Sequence, residues 1–226
     1  MAVVLMSGGM DSCVTAAIAR RSHDIAALHA SYGQRTENRE KRAFREIAAR
    51  MGIEKTLMLD LGFLKGIGGS SLTDPAIPVP EGIPPAGIPS TYVPFRNGVM
   101  LSVSFAWAEV LGAEAVFIGA VAPDGPEGYP DTTPAFFEAF RKAAEIGTRP
   151  DTHIRIEAPI VGMDKIGVVR LGLKLGAPFE LTWSCYQRED VACGRCLSCL
   201  GRMRAFENAG ALDPIPYQPK PEYQAR

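Results

Sequence analysis

The sequence predicts an α/β protein built on a doubly wound, mainly parallel sheet, with a small metal-binding lobe at its C-terminal end. Three observations carry that expectation. Short apolar, β-rich runs alternate with helical patterns through most of the chain, the mark of parallel βαβ units with helices on both faces. The first of these runs passes straight into Ser7-Gly8-Gly9 and then into a helical pattern. Four of the five cysteines crowd together at positions 185, 193, 196 and 199.

Taken in order, Ala2 to Met6 reads as a buried strand and Ser12 to Arg21 as the helix after it. Asp24 to Ala30 is a second strand. Glu37 to Met51 is a second helix, with Phe44, Ile47, Ala48 and Met51 on one face and Gly52 to stop it. Thr56 to Leu61 is a third strand and Ala115 to Gly119 a fourth; the helix between, Gly98 to Leu111, is apolar nearly all round and is expected to be buried. Further helices are expected after Thr133-Pro134, an N-cap with proline in the first turn, and after Asp164, closing at Gly176.

One stretch fits neither pattern. Between Gly66 and Pro94 stand prolines at 75, 78, 80, 84, 85, 89 and 94 and glycines at 66, 68, 69, 82 and 87, so no α-helix is expected there. It is either a lid over a site or a surface insert. The tail from Asp213, with prolines at 214, 216, 219 and 221, is expected to lie extended along the body or to fray. The organisation that follows is an α/β domain over residues 1–182, carrying the insert, and a lobe over 183–226.

Composition narrows the function. The 226 residues are 46% apolar and 22% charged, with 24 basic against 25 acidic side chains, a net charge of −1. That balance lacks the field that gathers a polyanion, so small molecules rather than nucleic acid are the expected partners. No run reaches the length of a membrane span and the start carries no basic export region, which leads to the expectation of a cytoplasmic protein. An odd number of cysteines, four of them clustered, suits a metal site in a reducing compartment better than disulfides. Cys13 is expected to be a small buried hydrophobe.

The loop Ser7-Gly8-Gly9-Met10-Asp11-Ser12 follows a strand and opens a helix, so its backbone amides and hydroxyls point where a helix N-terminus attracts anions. A phosphate cradle is the expectation. Two glycines let a ligand approach the backbone, Ser7 and Ser12 can donate to phosphate oxygens, and Asp11 can hold Mg²⁺ or cap the helix. The loop has no lysine, which excludes the Gly-Lys-Ser/Thr spelling of the common P-loop. The nearest dinucleotide-type string, Gly66-Ile67-Gly68-Gly69-Ser70-Ser71, ends in serine and runs into prolines.

Cys185, Cys193, Cys196 and Cys199 give the spacing Cys-x7-Cys-x2-Cys-x2-Cys, four thiolates that can close a tetrahedron. A structural zinc is expected, because no coordination position is left open for substrate; an iron–sulfur cluster is the alternative. Arg195, Arg202 and Arg204 are expected to offset the charge of the thiolates.

Ser-Gly-Gly-x-Asp-Ser resembles the signature of the PP-loop ATP pyrophosphatases, which hold the triphosphate of ATP and cleave between its α and β phosphates. Further strings narrow the likeness: Tyr32-Gly33-Gln34-Arg35, Tyr92-Val93-Pro94-Phe95-Arg96-Asn97, Gly128-Tyr129-Pro130-Asp131, Lys165, and Thr182-Trp183-Ser184-Cys185-Tyr186 leading into the cysteines. Together, nearly end to end, they resemble the 7-cyano-7-deazaguanine synthases. That resemblance implies conversion of 7-carboxy-7-deazaguanine and ammonia to the nitrile with ATP, a step towards queuosine, by a homodimer. It implies ATP binding by Met6, Ser7, Gly8, Gly9, Met10, Asp11 and Ser12, with Mg²⁺, and zinc binding by the four cysteines. Asp11, Arg96 and Lys165 are the expected catalytic residues, the two cations neutralising triphosphate or carboxylate. Arg35, Asn97, Tyr129 and Asp131 are the expected substrate-binding residues, with Asp131 accepting from a guanine-like edge. The scheme is adenylation of the carboxylate, attack by free ammonia to give an amide, then activation of the amide oxygen and loss of a proton to give the nitrile.

Two departures bear on the substrate. Thr132-Thr133 stands where the family commonly has Cys-Arg, and Val121 where it has asparagine after the fourth strand. Arg141 or Arg149 could supply the missing arginine, or the acceptor could be a different carboxylated base or a protein. A tRNA-thiolating PP-loop enzyme is the nearest rival and would want a reactive cysteine. A nucleotide-binding module without chemistry is the other.

Overall fold

Among the described residues, five strands lie side by side: β1 (Ala2–Leu5), β2 (Ile25–Ser31), β3 (Thr56–Asp60), β4 (Ala115–Ile118) and β5 (Arg155–Glu157). Their order is β3-β2-β1-β4-β5, every pairing parallel, with Val3 level with Ala26 on one side and Val116 on the other. The structure, a computed structural model, describes residues 1–82, 87–121 and 128–219. Prolines 84, 85 and 221 lie outside them.

Seven helices accompany the sheet among the described residues: α1 (Met10–Ala19), α2 (Glu37–Arg50), α3 (Phe63–Ile67), α4 (Arg96–Leu111), α5 (Pro134–Gly147), α6 (Lys165–Leu175) and α7 (Leu197–Ala209). Strand alternation decides which face each helix covers. Val4 and Met6 point into one core with Val14 of α1, Phe44 and Ile47 of α2, Val168 and Val169 of α6 and Phe206 of α7. Val3 and Leu5 point into the other with Leu101 and Phe105 of α4 and Phe137 of α5. Because the central strands are buried on both faces, they read in sequence as unbroken apolar runs. The doubly wound expectation holds.

The chain winds outward from β1 to β3, then crosses back and continues as β4 and β5 on the other side. Its direction reverses between β1 and β4, and loops leaving those two strands at their C-terminal ends frame a crevice where ligands bind in such sheets. The glycine loop after β1 lies at that reversal.

Capping follows the expected chemistry. Thr133 accepts from the Phe136 amide at the start of α5, Asp164 accepts from Gly167 at the start of α6, and Gly176 ends α6 in the left-handed region at φ +67°. Thr133 is therefore an N-cap. Thr132 is tied back to Tyr129 by its hydroxyl, at 2.7 Å.

Several elements differ from expectation. The helix read as buried all round, α4, buries one stripe of Asn97, Gly98, Leu101, Ser104, Phe105 and Ala108, while Val110 is 77% exposed. One of its faces lies against the sheet and the opposite face does not. The sequence pattern gives no sign of β5: three residues with Arg155 and Glu157 at its ends make no apolar run, as befits a sheet edge. The helices α3 and α7 are likewise unexpected, α3 because it is five residues long and reaches into the glycine-rich stretch. Described parts of that stretch are packed rather than laid on the surface: Ser70, Ser71, Leu72, Thr73, Thr91 and Val93 are buried. The tail is extended along the body, with Ile215 and Tyr217 buried and Tyr217 bridged to Ala192.

Candidate active site

The loop after β1 is pre-shaped by its own side chains. Ser12 Oγ accepts from the Ser7 amide at 3.2 Å and donates to the Gly9 carbonyl at 3.0 Å, while Ser7 Oγ accepts from the Gly9 amide at 3.2 Å. Gly9 is the N-cap of α1 and has no side chain, so the cap supplies no acceptor to the first-turn amides. Gly8 is required at φ +87°, where an added Cβ would stand 2.7 Å from the Glu40 carbonyl. From the β4 side, an added Cβ on Gly119 would stand 2.8 Å from the Ser12 backbone. The two strand ends close on each other across the reversal point.

Lys165, at the first position of α6, donates to Asp11 Oδ2 across 154 residues of sequence. Asp11 Oδ1 is buried without a hydrogen-bond partner among the described residues. An orphaned carboxylate oxygen beside amides that the cap leaves open is a donor set that fits a magnesium ion together with phosphate oxygens. Beneath the loop, His29 bonds the Met6 carbonyl through Nδ1 at 3.0 Å, and burial pushes its pKa below the ordinary value.

A second group gathers at the N-terminus of α4. Arg96 donates to Tyr32 Oη at 3.0 Å and its guanidinium lies 5.3 Å from the centre of that ring. Tyr129 and Tyr186 lie within electrostatic reach of the same guanidinium. Burial raises the Tyr32 hydroxyl to about 12 and Tyr186 well above its ordinary value, so both stay neutral donors at physiological pH. Tyr92 stacks on Tyr129 with ring centres 5.7 Å apart, and Thr91 Oγ1 bonds Tyr129 Oη at 2.7 Å. Phe95 precedes Arg96 in the left-handed region at φ 55°, a strained position for a non-glycine residue. Asp131 is buried and accepts from the Asn97 amide at 2.9 Å, while Asn97 Nδ2 donates to the Asp131 carbonyl at 3.2 Å. Those two residues fix the start of α4 and so the position of Arg96.

Arg35 stands differently from the other expected ligands. Its guanidinium donates to the carbonyls of Ser71, Asp74 and Ile77, which pins the insert beside the Tyr32 turn. Arg141 forms a fork with Glu138 and Glu145 on the exposed side of α5, and Arg149 pairs with Glu109. Both candidate replacements for the family arginine are thus held in surface ion pairs.

The four clustered cysteines are buried, unbridged, and have sulfurs within 4.8 Å of one another. Cys193 and Cys199 sulfurs are 3.9 Å apart, against an edge of about 3.8 Å for a tetrahedron of thiolates around zinc. Amides of Gln187 and Cys193 donate to Cys185 Sγ, and the Cys196 amide donates to Cys193 Sγ, as metal thiolates are commonly held. The four residues can therefore hold a metal ion. Of the arginines expected to balance their charge, Arg202 lies within electrostatic reach of Cys199 while fully buried in a two-pronged bond to Asp213, at 2.8 and 2.9 Å, and Arg195 pairs with Glu81. Arg204 is exposed. Cys13 is wholly buried and burial pushes its thiol up to about 12, so it is a packing residue, as expected.

Sequence reasoning assigned no role to Tyr32, Tyr92 or Tyr186, although each stands in a quoted string, and it passed over Thr91, Trp183, Gly119 and Glu40. An aromatic in a string gives no sign of which way it faces.

Comparison with known proteins shows the family. The family model described as "Queuosine biosynthesis protein QueC" matches residues 1–210. A protein of Koribacter versatilis (strain Ellin345) named 7-cyano-7-deazaguanine synthase is 53% identical over 224 residues, covering 97% of this chain and 94% of that protein. Proteins of the same name from Chlorobium luteolum and Acidobacterium capsulatum are 51% and 53% identical, over 98% and 96% of this chain and 98% and 96% of their own lengths. Among the described residues, no helix is long and apolar enough to cross a membrane.

Proposed function

The chain belongs to the QueC family of queuosine biosynthesis proteins, and from that premise we propose that it converts 7-carboxy-7-deazaguanine and ammonia to 7-cyano-7-deazaguanine at the expense of ATP. The observation that carries this reading is the meeting, at one end of the sheet, of an anion-binding loop with a cation and an arginine ringed by phenols. Met6 to Ser12 wrap the triphosphate, with the first-turn amides of α1 and the hydroxyls of Ser7 and Ser12 donating to it. Asp11 would hold magnesium through its unpartnered Oδ1, and the ion would offset phosphate charge. Lys165 supplies a second positive charge at the same phosphates, and Arg96 takes the substrate carboxylate, whose charge its planar fork matches.

Tyr129, stacked on Tyr92, offers a flat face to the deazaguanine, and Asp131 and Asn97 line its edge while anchoring α4. Arg35 acts through the insert it pins. Catalysis rests on positioning and charge neutralisation rather than on a covalent side chain. The four cysteines would hold a structural zinc, which would tie together the chain segments that carry them. The thiolating alternative loses support because Cys13 is buried and the remaining cysteines face one another. A cytoplasmic homodimer acting on small molecules, without nucleic acid, completes the reading.

The test is to incubate zinc-replete protein with Mg-ATP, ammonium and 7-carboxy-7-deazaguanine and follow the base by mass spectrometry, counting AMP. Appearance of the nitrile is expected. An unchanged base with ATP still bound would overturn the substrate and turn attention to Thr132-Thr133.

A further inference from the structure

Nitrile formation from an acid needs a group that takes protons from nitrogen, and none of the residues assigned above is free to do so. Asp11 is paired with Lys165, and Asp131 is committed to the N-terminus of α4. The three histidines do not serve either: His23 pairs with Glu114 at the surface, His29 lies under the loop with 1% exposure, and His153 is exposed.

Glu40 is different. It sits in the first turn of α2, half-buried, in the electrostatic field of Arg96 and Tyr32. Its carboxylate is held from behind by Thr36 Oγ1, donating to Oε1 at 2.8 Å, and by Gln34 Nε2, donating to Oε2 at 3.0 Å. Gln34 is itself fixed, since its Oε1 accepts from the Tyr32 amide at 2.8 Å. Each oxygen thus has one neutral donor and keeps further acceptor capacity, and no ion-pair partner within contact distance is found for it among the described residues. A carboxylate kept partly open and braced by neutral donors is arranged to bind a small cation or accept a proton.

We propose that Glu40 is the carboxylate that receives ammonium and takes up the proton released as nitrogen attacks the activated substrate; this rests on the activity proposed above. The bound ammonium first loses one proton to solvent, and the ammonia nitrogen then forms a bond to the carboxyl carbon while the bond from that carbon to the AMP oxygen breaks. AMP leaves with the electron pair, and one N–H proton passes to Glu40, giving a neutral acid, an amide and AMP. The proton then passes to solvent and the carboxylate is restored. The groups facing Glu40 suit this role. Burial and Glu37 one turn earlier on α2 leave it more basic than an ordinary carboxylate, while the Thr36 and Gln34 donors and Arg96 from α4 favour its charge.

The experiment compares wild type with Glu40→Gln and Glu40→Ala in two assays. The first is pyrophosphate exchange into ATP driven by 7-carboxy-7-deazaguanine without ammonium, which reports folding and activation. The second is formation of nitrile over a range of ammonium concentrations and pH, run beside hydroxamate formation from hydroxylamine, a nucleophile that is largely unprotonated at neutral pH. The expected result is exchange and hydroxamate formation within about 3-fold of wild type, with nitrile formation down by about 100-fold or more and a raised ammonium KM. The acidic limb of the wild-type pH profile, where protonation of the Glu40 carboxylate stops it taking up a proton, is lost with it. Unchanged ammonium dependence, or hydroxamate and exchange falling in parallel with nitrile, would overturn the role of Glu40. Absence of exchange in wild type would instead overturn the activity itself, and Glu40's part in it.

Discussion

The backbone amide of Trp183 donates to the carbonyl of Gly8 at 2.9 Å, so the segment that leads into the cysteine cluster is bonded directly to the glycine loop. The same segment is held on its other side. Arg39 of α2 lies over the Trp183 ring at 4.6 Å, and Glu189 accepts from the Asn38 and Arg39 amides at the start of α2. Cys185 stands two residues after Trp183, so whatever orders the sulfurs also sets the loop.

Metal removal is therefore expected to reach the nucleotide site. Chelation, or Cys193→Ser, should lower the melting temperature and weaken ATP binding together, because a structural metal supplies folding energy on the order of 10 kcal/mol. Thermal melts and ATP titration on matched samples check this. ATP affinity unchanged in a destabilised protein would break the link.

Asp11→Ala should abolish product while leaving circular dichroism and metal content intact. Lys165→Met should cost about 100-fold or more in turnover, since in the proposed reaction each group acts on charge that grows at the transferring phosphorus. Mass spectrometry of the base and metal analysis of each variant are the measurements.

Gly119→Ala tests the closeness of the two strand ends. The added carbon would stand 2.8 Å from the Ser12 backbone, which has no flexible end to move aside. Displacement of the first turn of α1 should weaken ATP binding by about tenfold or more, a change worth about 1.4 kcal/mol. Calorimetric titration would show it; wild-type affinity would mean that the loop shifts freely.

The Arg202–Asp213 pair is an internal clasp between α7 and the tail. Arg202 also donates to Thr182 Oγ1 at 2.6 Å and the Phe179 carbonyl at 3.1 Å, and Tyr217 donates to Asp213 at 2.6 Å. Arg202→Met removes the cation that faces a buried carboxylate and should cost about 3–5 kcal/mol in urea unfolding, while Arg202→Met with Asp213→Leu should cost less than the single change. Equal losses would show that packing, not charge, sets the cost.

His29 gives the pH dependence. Burial lowers its pKa in the folded state, with Lys41 and Arg45 adding to that and the Met6 carbonyl opposing. The unfolded chain therefore binds more protons than the folded one as pH falls through about 6.5. Stability from this group is full above that pH and declines below it. Melts between about pH 7.5 and 5 should fall more steeply in wild type than in His29→Gln, and parallel curves would exclude the histidine as the cause.

How much is legible in the chain differs between fold and site. The alternation of Val3 and Leu5 against Val4 and Met6, the Ser7–Ser12 loop and the spacing of the cysteines are local patterns, so the fold class, the turn from strand into helix and a cysteine set able to hold a metal can be read from the sequence itself. Local patterns carry such information because strand pleat, helix N-terminus and ligand spacing are fixed by neighbouring residues. The sequence could not say that Lys165 meets Asp11, that Arg35 holds the insert, that Arg202 is bonded to Asp213, or that Glu40 stands in the field of Arg96. Each of those depends on which distant residues the sheet brings together, or on which way a side chain turns once packed. Side-chain direction is decided by the neighbours that crowd it, and only the folded structure supplies them.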